Sequence, residues 1–296
     1  MTTVTRTLTL PDGRDLDVIL GGAESDIALV AQHGTPGGAT RYLKWADLVA
    51  AVGLRFVTFS RPGYSTSTRQ PDRDVAAGAD DIAAALDQLG VRRFVTLGGS
   101  GGGPHAIACA ALLADRCLAA SALVTIAPYG SPGLAWFAGM AQLNLDEFGA
   151  ALDGEPVLRA WIEANGEEFR HVIAAEVVAS FGEALPPVDQ AAVTGDYAEG
   201  LASDFRRALA PGFDGWIDDD LAFVKPWGFE LGSIRVPVSI WQGELDRLVP
   251  HPHGRWLADQ IPGARFELAV GHGHFSLGEA NREAILDDLL TRAGLR

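Results

Sequence analysis

The chain has 296 residues, 48% of them hydrophobic, which suits one large α/β domain or a domain with an inserted lid. Its formal net charge of −15 argues against partners such as nucleic acid or an anionic membrane surface. The first residues show no signal peptide, no uncharged apolar run approaches about 18 residues, and the two cysteines indicate no disulfide framework, so we expect a cytoplasmic protein that does not span a membrane.

The N-terminal part of the chain alternates between predicted strands and predicted helices. Residues 5–10 and 16–20 flank a Pro-Asp-Gly turn, which predicts a β-hairpin. Apolar runs predict buried strands at 27–31, 55–59, 94–97 and 119–126, and apolar side chains at helical spacing predict helices at 40–52 and 74–89. This alternation is typical of parallel strands joined by right-handed crossovers, with helices on both faces of the sheet.

The stretch from 94 to 106 contains Gly98-x-Ser100-x-Gly102 between a predicted strand and a predicted helix. A serine on such a sharp strand-to-helix turn is the nucleophile elbow, in which glycines permit a close approach of the neighbouring backbone. A dinucleotide-binding loop is the weaker alternative, because no acidic residue follows the next predicted strand. Ser100 is therefore the candidate nucleophile.

A second glycine-rich loop follows the strand at 27–31 and reads His33-Gly34-Thr35-Pro36-Gly37-Gly38. Such a loop allows backbone N–H groups to face inward instead of pairing with another strand. We expect the N–H groups of Thr35 and Gly101 to form an oxyanion hole. We expect His33 to brace this loop and His105 to pack inside the fold.

The pattern changes between residues 130 and 225, where it becomes helical and rich in tryptophan and phenylalanine. A long helical insertion in an alternating chain predicts a lid over the active edge of the sheet. We therefore expect a core formed by 1–129 and 226–296 and a helical cap formed by 130–225. The alternative is that this segment simply extends the α/β core.

Two further polar residues follow predicted strands near the C-terminus. The predicted elements here are strands at 236–241 and 265–270 and a closing helix at 279–292. Asp246 follows the first strand and His274 the second, so both should lie at the same sheet edge as Ser100. Histidine can take and return the serine proton, and a carboxylate can orient the histidine ring. Glu244 and His272, each two positions earlier, are the competing candidates.

These motifs resemble those of the α/β-hydrolase superfamily, over essentially the whole chain outside the cap. The resemblance is carried by Gly98 to Gly103, His33 to Gly38, Gly243-x-x-Asp246-x-x-Val249-Pro250 and Gly273-His274-Phe275-Ser276, in the family's order. The chain is similar in particular to capped single-chain serine hydrolases such as carboxylesterases and proline iminopeptidases. The resemblance implies an α/β-hydrolase fold, a mostly parallel doubly wound sheet with an inserted helical cap, and a Ser100-Asp246-His274 triad.

The leading functional hypothesis is hydrolysis of a small or medium, mainly apolar carboxylic ester, lactone or thioester through an acyl-enzyme on Ser100. The expected partner is a small-molecule substrate, with no cofactor; the oligomeric state is left open. A metal site in the two His-x-His pairs, His251-Pro252-His253 and His272-Gly273-His274, is a weak alternative. A lyase, a cofactor-free oxygenase or a ligand receptor is the runner-up. An aminopeptidase is weaker, because Thr35 and Gly101 depart from the iminopeptidase pattern; it would need cap acids such as Glu163, Glu167 and Glu168.

Overall fold

The computed structural model describes residues 3–296 and contains an eight-stranded sheet. The strands are β1 (Val4–Thr9), β2 (Asp15–Gly22), β3 (Ile27–Gln32), β4 (Arg55–Phe59), β5 (Arg93–Gly99), β6 (Cys117–Leu123), β7 (Val238–Gly243) and β8 (Arg265–Ala269). Their spatial order is β1-β2-β4-β3-β5-β6-β7-β8. The predicted hairpin of β1 and β2 is antiparallel and β2 also pairs antiparallel with β4, whereas all other neighbouring strands are parallel.

Twelve α-helices accompany this sheet within the described residues. They are α1 (Ala46–Ala51), α2 (Ala77–Gln88), α3 (Gly102–Leu112), α4 (Gln142–Leu152), α5 (Glu155–Asn165), α6 (Val177–Phe181), α7 (Pro187–Ala192), α8 (Gly195–Ala208), α9 (Asp214–Phe223), α10 (Pro252–Gln260), α11 (His274–Ala280) and α12 (Arg282–Arg292). Short 3-10 turns lie at Leu43–Trp45, Glu167–Arg170, Gly182–Ala184 and Leu231–Ser233. Within residues 3–296, no helix has both the length and the apolar character that crossing a bilayer requires.

Both faces of the sheet are covered by helices, as the alternating sequence predicts. Side chains along a strand point alternately to opposite faces. In β3, Val30 belongs to the core formed with α2, α3 and α10, while its neighbour Leu29 belongs to the core formed with α1 and α12. These two cores enclose the sheet, and the predicted doubly wound α/β architecture is confirmed.

The long connection between β6 and β7 carries the six helices α4 to α9. These helices have an apolar core of their own, which includes Leu158, Leu201, Phe205 and Ile217. The same cluster includes Phe275 beside the end of β8, so the helical segment packs against the carboxyl edge of the sheet. We propose that residues 130–225 form a cap on a core made of 1–129 and 226–296.

The structure differs from the predicted elements in two places. The predicted helix at 40–52 is limited to a 3-10 turn and the short α1. The predicted closing helix at 279–292 is in fact two helices, because α11 begins earlier, at His274, and ends before Asn281. At this early start, the carboxylate of Asp189 in α7 accepts the first N–H groups of α11. The local sequence pattern does not reveal this contact.

Candidate active site

Ser100 lies in a strained turn between β5 and α3. Its φ angle is +54°, in the left-handed region that non-glycine residues rarely adopt. A Cβ on Gly98 would clash with the carbonyl oxygen of Gly102, and a Cβ on Gly102 would clash with that of Gln32. The Ser100 N–H donates to the Leu123 carbonyl at 2.8 Å, which ties the turn to β6. The predicted glycine requirement at this turn therefore has a direct steric cause.

Asp246 and His274 lie in contact at the same sheet edge. The Nδ1 atom of His274 lies 2.8 Å from Oδ2 of Asp246, whose side chain is fully buried. The other carboxylate oxygen accepts the N–H groups of Leu248 and Val249, both at 2.9 Å. With Nδ1 engaged by the carboxylate, Nε2 is the ring nitrogen left for chemistry. Ser100 and His274 line the same cavity.

Glu244 and His272, the competing candidates for the acid and the base, contact the loops after β7 and β8 instead. Glu244 accepts the backbone N–H of Gly271 at 2.9 Å, and the His272 carbonyl accepts the N–H of Leu245 at 2.8 Å. These contacts join the two loops after β7 and β8. The structure thus pairs Asp246 with His274, and it pairs neither residue with Glu244 or His272 through a side-chain hydrogen bond within residues 3–296.

Asp189 in α7 holds the start of the helix that begins with His274. Its buried carboxylate accepts the N–H groups of His274 at 2.7 Å, Phe275 at 3.1 Å and Ser276 at 2.9 Å, and also the Ser276 hydroxyl at 2.7 Å. A carboxylate at this place caps the helix and complements its dipole. The residue before the helix is Gly273, which has no side chain to serve as a cap. No sequence pattern indicates this acceptor, which lies 85 positions before His274.

The glycine-rich loop of residues 33–38 contacts the nucleophile turn. A Cβ on Gly34 would lie 3.4 Å from Ser100 Cβ, and one on Gly101 would overlap the Thr35 hydroxyl. The backbone N–H groups of Thr35 and Gly101 have no partner among the hydrogen bonds of residues 3–296. Two unpaired N–H groups on adjoining turns beside a serine could hold an oxyanion.

A buried aspartate of α9 supports this loop. Asp219 accepts hydrogen bonds from Thr35 Oγ1 at 2.7 Å, Tyr64 at 2.9 Å and Arg61 Nη2 at 2.6 Å, and its carboxylate lies 2.7 Å from Arg73. Burial would raise the pKa of Asp219, but the charges of Arg61 and Arg73 outweigh burial and hold that pKa well below its usual range. Asp219 is therefore a buried anion that joins α9 to the loop of residues 33–38.

The two buried histidines near this network are neutral supports. Burial, reinforced by the charge of Arg61, lowers the pKa of both His33 and His105 well below the usual value. Nε2 of His33 accepts the N–H of Arg61 at 2.9 Å, and Nδ1 lies 2.7 Å from the Gly34 carbonyl. The contacts of His33 agree with its predicted bracing role, and the 1% exposure of His105 agrees with its predicted packed position.

Two adjoining cavities open beside Ser100 and His274, with volumes of about 290 and 70 Å³. Ser100, His274, Gly34 and Arg41 line both. The smaller cavity is walled by aromatic side chains of the helical segment: Trp161, Phe169, Phe181, Phe205 and Trp216. The three acids considered for an aminopeptidase are exposed and line neither cavity: Glu163, Glu167 and Glu168.

Two buried acids, Glu147 and Asp220, were not indicated by the sequence. Glu147 lines the cavity, and its Oε1 accepts the Trp216 Nε1–H at 2.5 Å. Burial raises the pKa of Glu147, and burial together with the charge of Glu147 raises the pKa of Asp220 well above its usual range. Burial therefore disfavours a negative charge on both carboxyl groups.

His253, a member of one His-x-His pair, contacts backbone groups through both ring nitrogens. His253 Nδ1 accepts the Ala127 N–H at 3.2 Å, and Nε2 lies 2.8 Å from the Trp136 carbonyl. Both ring nitrogens are therefore occupied, and burial lowers the pKa of His253 to about 4. Among residues 3–296, no three histidine, cysteine or acidic side chains are grouped as metal ligands would be.

Comparison with known proteins identifies the family. Residues 28–287 match the model of the alpha/beta hydrolase family, and the chain belongs to that family. RutD of Caulobacter sp. (strain K31) is 28% identical over 91% of this chain and 93% of its own length. The bifunctional esterase/perhydrolase DCH of Acinetobacter calcoaceticus is 24% identical over 96% of this chain and 97% of its own.

A solved structure shows the same fold. The enol-lactonase from Burkholderia xenovorans LB400 is 19% identical, with a TM-score of 0.66 over 97% of this chain and 100% of that one. The predicted fold and family are thereby confirmed, and so is the prediction of an enzyme of the α/β-hydrolase class.

Proposed function

We propose that the protein is a serine hydrolase that cleaves small or medium, mainly apolar carboxylic esters, lactones or thioesters. The observation that carries this proposal is that Ser100 and His274 line one cavity while Nδ1 of His274 lies 2.8 Å from buried Asp246. A serine on a strained turn, a histidine with one free ring nitrogen and a buried carboxylate are the groups that acyl transfer requires.

The proposed reaction proceeds in two halves on these side chains. His274 Nε2 takes the proton as Ser100 Oγ attacks the carbonyl carbon, and Asp246 stabilises the imidazolium. The N–H groups of Thr35 and Gly101 bind the oxyanion. The imidazolium then gives its proton to the leaving oxygen or sulfur, and the acyl-enzyme forms. Water, activated by the same histidine, releases the acid and restores Ser100, with no cofactor.

The cavity supports a mainly apolar acyl or alcohol group. Aromatic side chains of the helical segment wall the smaller lobe, and an apolar wall favours an apolar part of the substrate. The relatives point in the same direction, since one is named an esterase/perhydrolase and a structural neighbour an enol-lactonase. Because Glu163, Glu167 and Glu168 lie outside both cavities, the aminopeptidase alternative loses its candidate amine-binding groups.

A panel of p-nitrophenyl esters of graded chain length, combined with fluorophosphonate labelling, tests the proposal. We expect turnover by the wild type, labelling at Ser100, and loss of both in Ser100→Ala while its thermal unfolding stays unchanged. Ester hydrolysis by Ser100→Ala at nearly the wild-type rate would refute the mechanism. Labelling of Ser100 without turnover of any ester, lactone or thioester would favour the non-hydrolytic alternative.

A further inference from the structure

Arg41 lies in the wall shared by the two cavities beside Ser100. Its side chain is only 14% exposed, and the guanidinium lies 5.0 Å from the centre of the Phe205 ring. An aromatic face supports a guanidinium from one side and leaves its N–H edge available. The position of this cation is thus held by packing.

The guanidinium of Arg41 donates no hydrogen bond within residues 3–296, and Nη1 is buried without a partner. The nearest carboxylate oxygen belongs to Asp204 and lies 3.9 Å from Nε. That carboxylate is already engaged, since it accepts the Thr40 hydroxyl at 2.6 Å and the Gly38 N–H at 3.2 Å. Arg41 therefore has five donors and no hydrogen-bond acceptor.

A second buried arginine, Arg61, has hydrogen-bond acceptors for its guanidinium, in contrast to Arg41. Arg61 donates to both oxygens of Asp219 and to the carbonyl groups of His33 and Gly34. Buried charges are ordinarily paired in this way. Arg41 differs from Arg61, because its guanidinium faces the cavity of Ser100 and donates no hydrogen bond within residues 3–296.

The remaining charges of the larger cavity do not neutralise Arg41. Lys44 and Arg282 also line this cavity, and both pair with Glu279, at 3.6 and 3.2 Å. The other acid in the lining is the exposed Asp196. Lys44 and Arg282 thus share an acid, whereas Arg41 has only Asp204 at 3.9 Å and no hydrogen-bond acceptor, so its donors are available to a negatively charged group.

We propose that Arg41 binds a carboxylate of the substrate, so that the preferred substrates are esters or lactones whose apolar chain ends in a carboxylate. The inference rests on the proposed hydrolase function and narrows its substrate class. The planar guanidinium offers two parallel N–H donors, which match the two oxygens of a carboxylate. Its missing acceptor would then be supplied by the substrate.

The kinetic test compares p-nitrophenyl pentanoate with the mono-p-nitrophenyl ester of glutaric acid, which has the same chain length and a terminal carboxylate. We expect the wild type to favour the glutarate ester in kcat/KM. Arg41→Met should reduce that preference by about 10- to 100-fold, mainly through KM, and Arg41→Lys should reduce it less. Arg93→Met is the matched control: this exposed cation lies at the start of β5 and lines neither cavity, so the preference should stay at the wild-type value.

A binding experiment decides the inference even if no ester is hydrolysed. Calorimetry measures binding of glutarate to the Ser100→Ala protein, with and without Arg41→Met and Arg41→Lys. Binding that Arg41→Met abolishes and Arg41→Lys partly restores supports the carboxylate site, whatever the outcome for hydrolysis. Lack of binding, or binding that survives Arg41→Met, overturns it and leaves the hydrolase proposal standing on its own assay.

Discussion

Removal of the Asp189 carboxylate tests how α7 holds the proposed catalytic histidine. Asp189→Ala leaves the first three N–H groups of α11 and the Ser276 hydroxyl without the acceptor they share. A helix-capping side chain contributes about 1–2 kcal/mol, and a buried donor without a partner costs about 1–3 kcal/mol. Because water can replace part of the lost contacts, we expect a loss of about 3 kcal/mol in the free energy of unfolding.

The assay for this loss is thermal and urea unfolding of wild type and variant. The unfolding entropy of a 296-residue chain is about 0.6 kcal/mol per kelvin, so the expected decrease in Tm is about 5 °C. Asp153→Ala is the matched control, because this aspartate is exposed just after α4 in the same helical segment. Its effect should stay within about 0.5 kcal/mol.

The same variant should lose activity well below its unfolding temperature. His274 is the first residue of α11, so release of its N–H from Asp189 allows the imidazole to move relative to Ser100. A displacement of about 1 Å in a catalytic group reduces turnover by about 100-fold. We expect kcat to fall between 10- and 100-fold by that measure. A wild-type Tm would refute the capping role, and a lowered Tm with unchanged kcat would refute the coupling to catalysis.

The other predictions concern Asp246 as the proposed triad acid, the buried anion Asp219 and the buried histidine His253. Asp246→Asn should lower kcat for ester hydrolysis by about 10³- to 10⁴-fold, because the histidine tautomer is no longer fixed; a larger effect of Glu244→Gln would show that the acid is misassigned. Asp219→Asn should cost about 3–5 kcal/mol in urea unfolding, because two buried arginines lose their counterion; a loss below about 1 kcal/mol would contradict the buried ion network. The pKa of His253 is about 4 in the folded protein and about 6.5 when unfolded, so the unfolded state takes up its proton first as the pH falls. Stability should therefore be complete above about pH 6.5 and should decrease by up to about 3 kcal/mol towards pH 4. His253→Gln should weaken this pH dependence. If the urea midpoint of the variant varies between pH 7 and 4.5 as steeply as that of the wild type, this prediction is wrong.

The strands, the nucleophile turn and the glycine loop could be predicted from the sequence because their causes are local. The alternation in β3 sends Leu29 and Val30 to opposite faces, and this follows from strand geometry alone. The turn at Ser100 needs glycine on either side wherever the fold places it. The order of Ser100, Asp246 and His274 along strand ends was likewise sufficient to predict that they lie at one sheet edge.

Spacing alone barely separates His274 from His272, and the prediction of His274 depends on the Gly273-His274-Phe275-Ser276 motif. In the structure it is His274 that contacts Asp246. The sequence did not identify the residues that hold the site. Asp189 and Asp219 are 85 and 184 positions from His274 and Thr35, the residues they hold. No periodicity or spacing rule links such distant positions. Their roles exist only because the helical segment packs against the sheet edge and brings its buried charges into contact with the core. The same packing places Arg41 at the cavity without a hydrogen-bond acceptor.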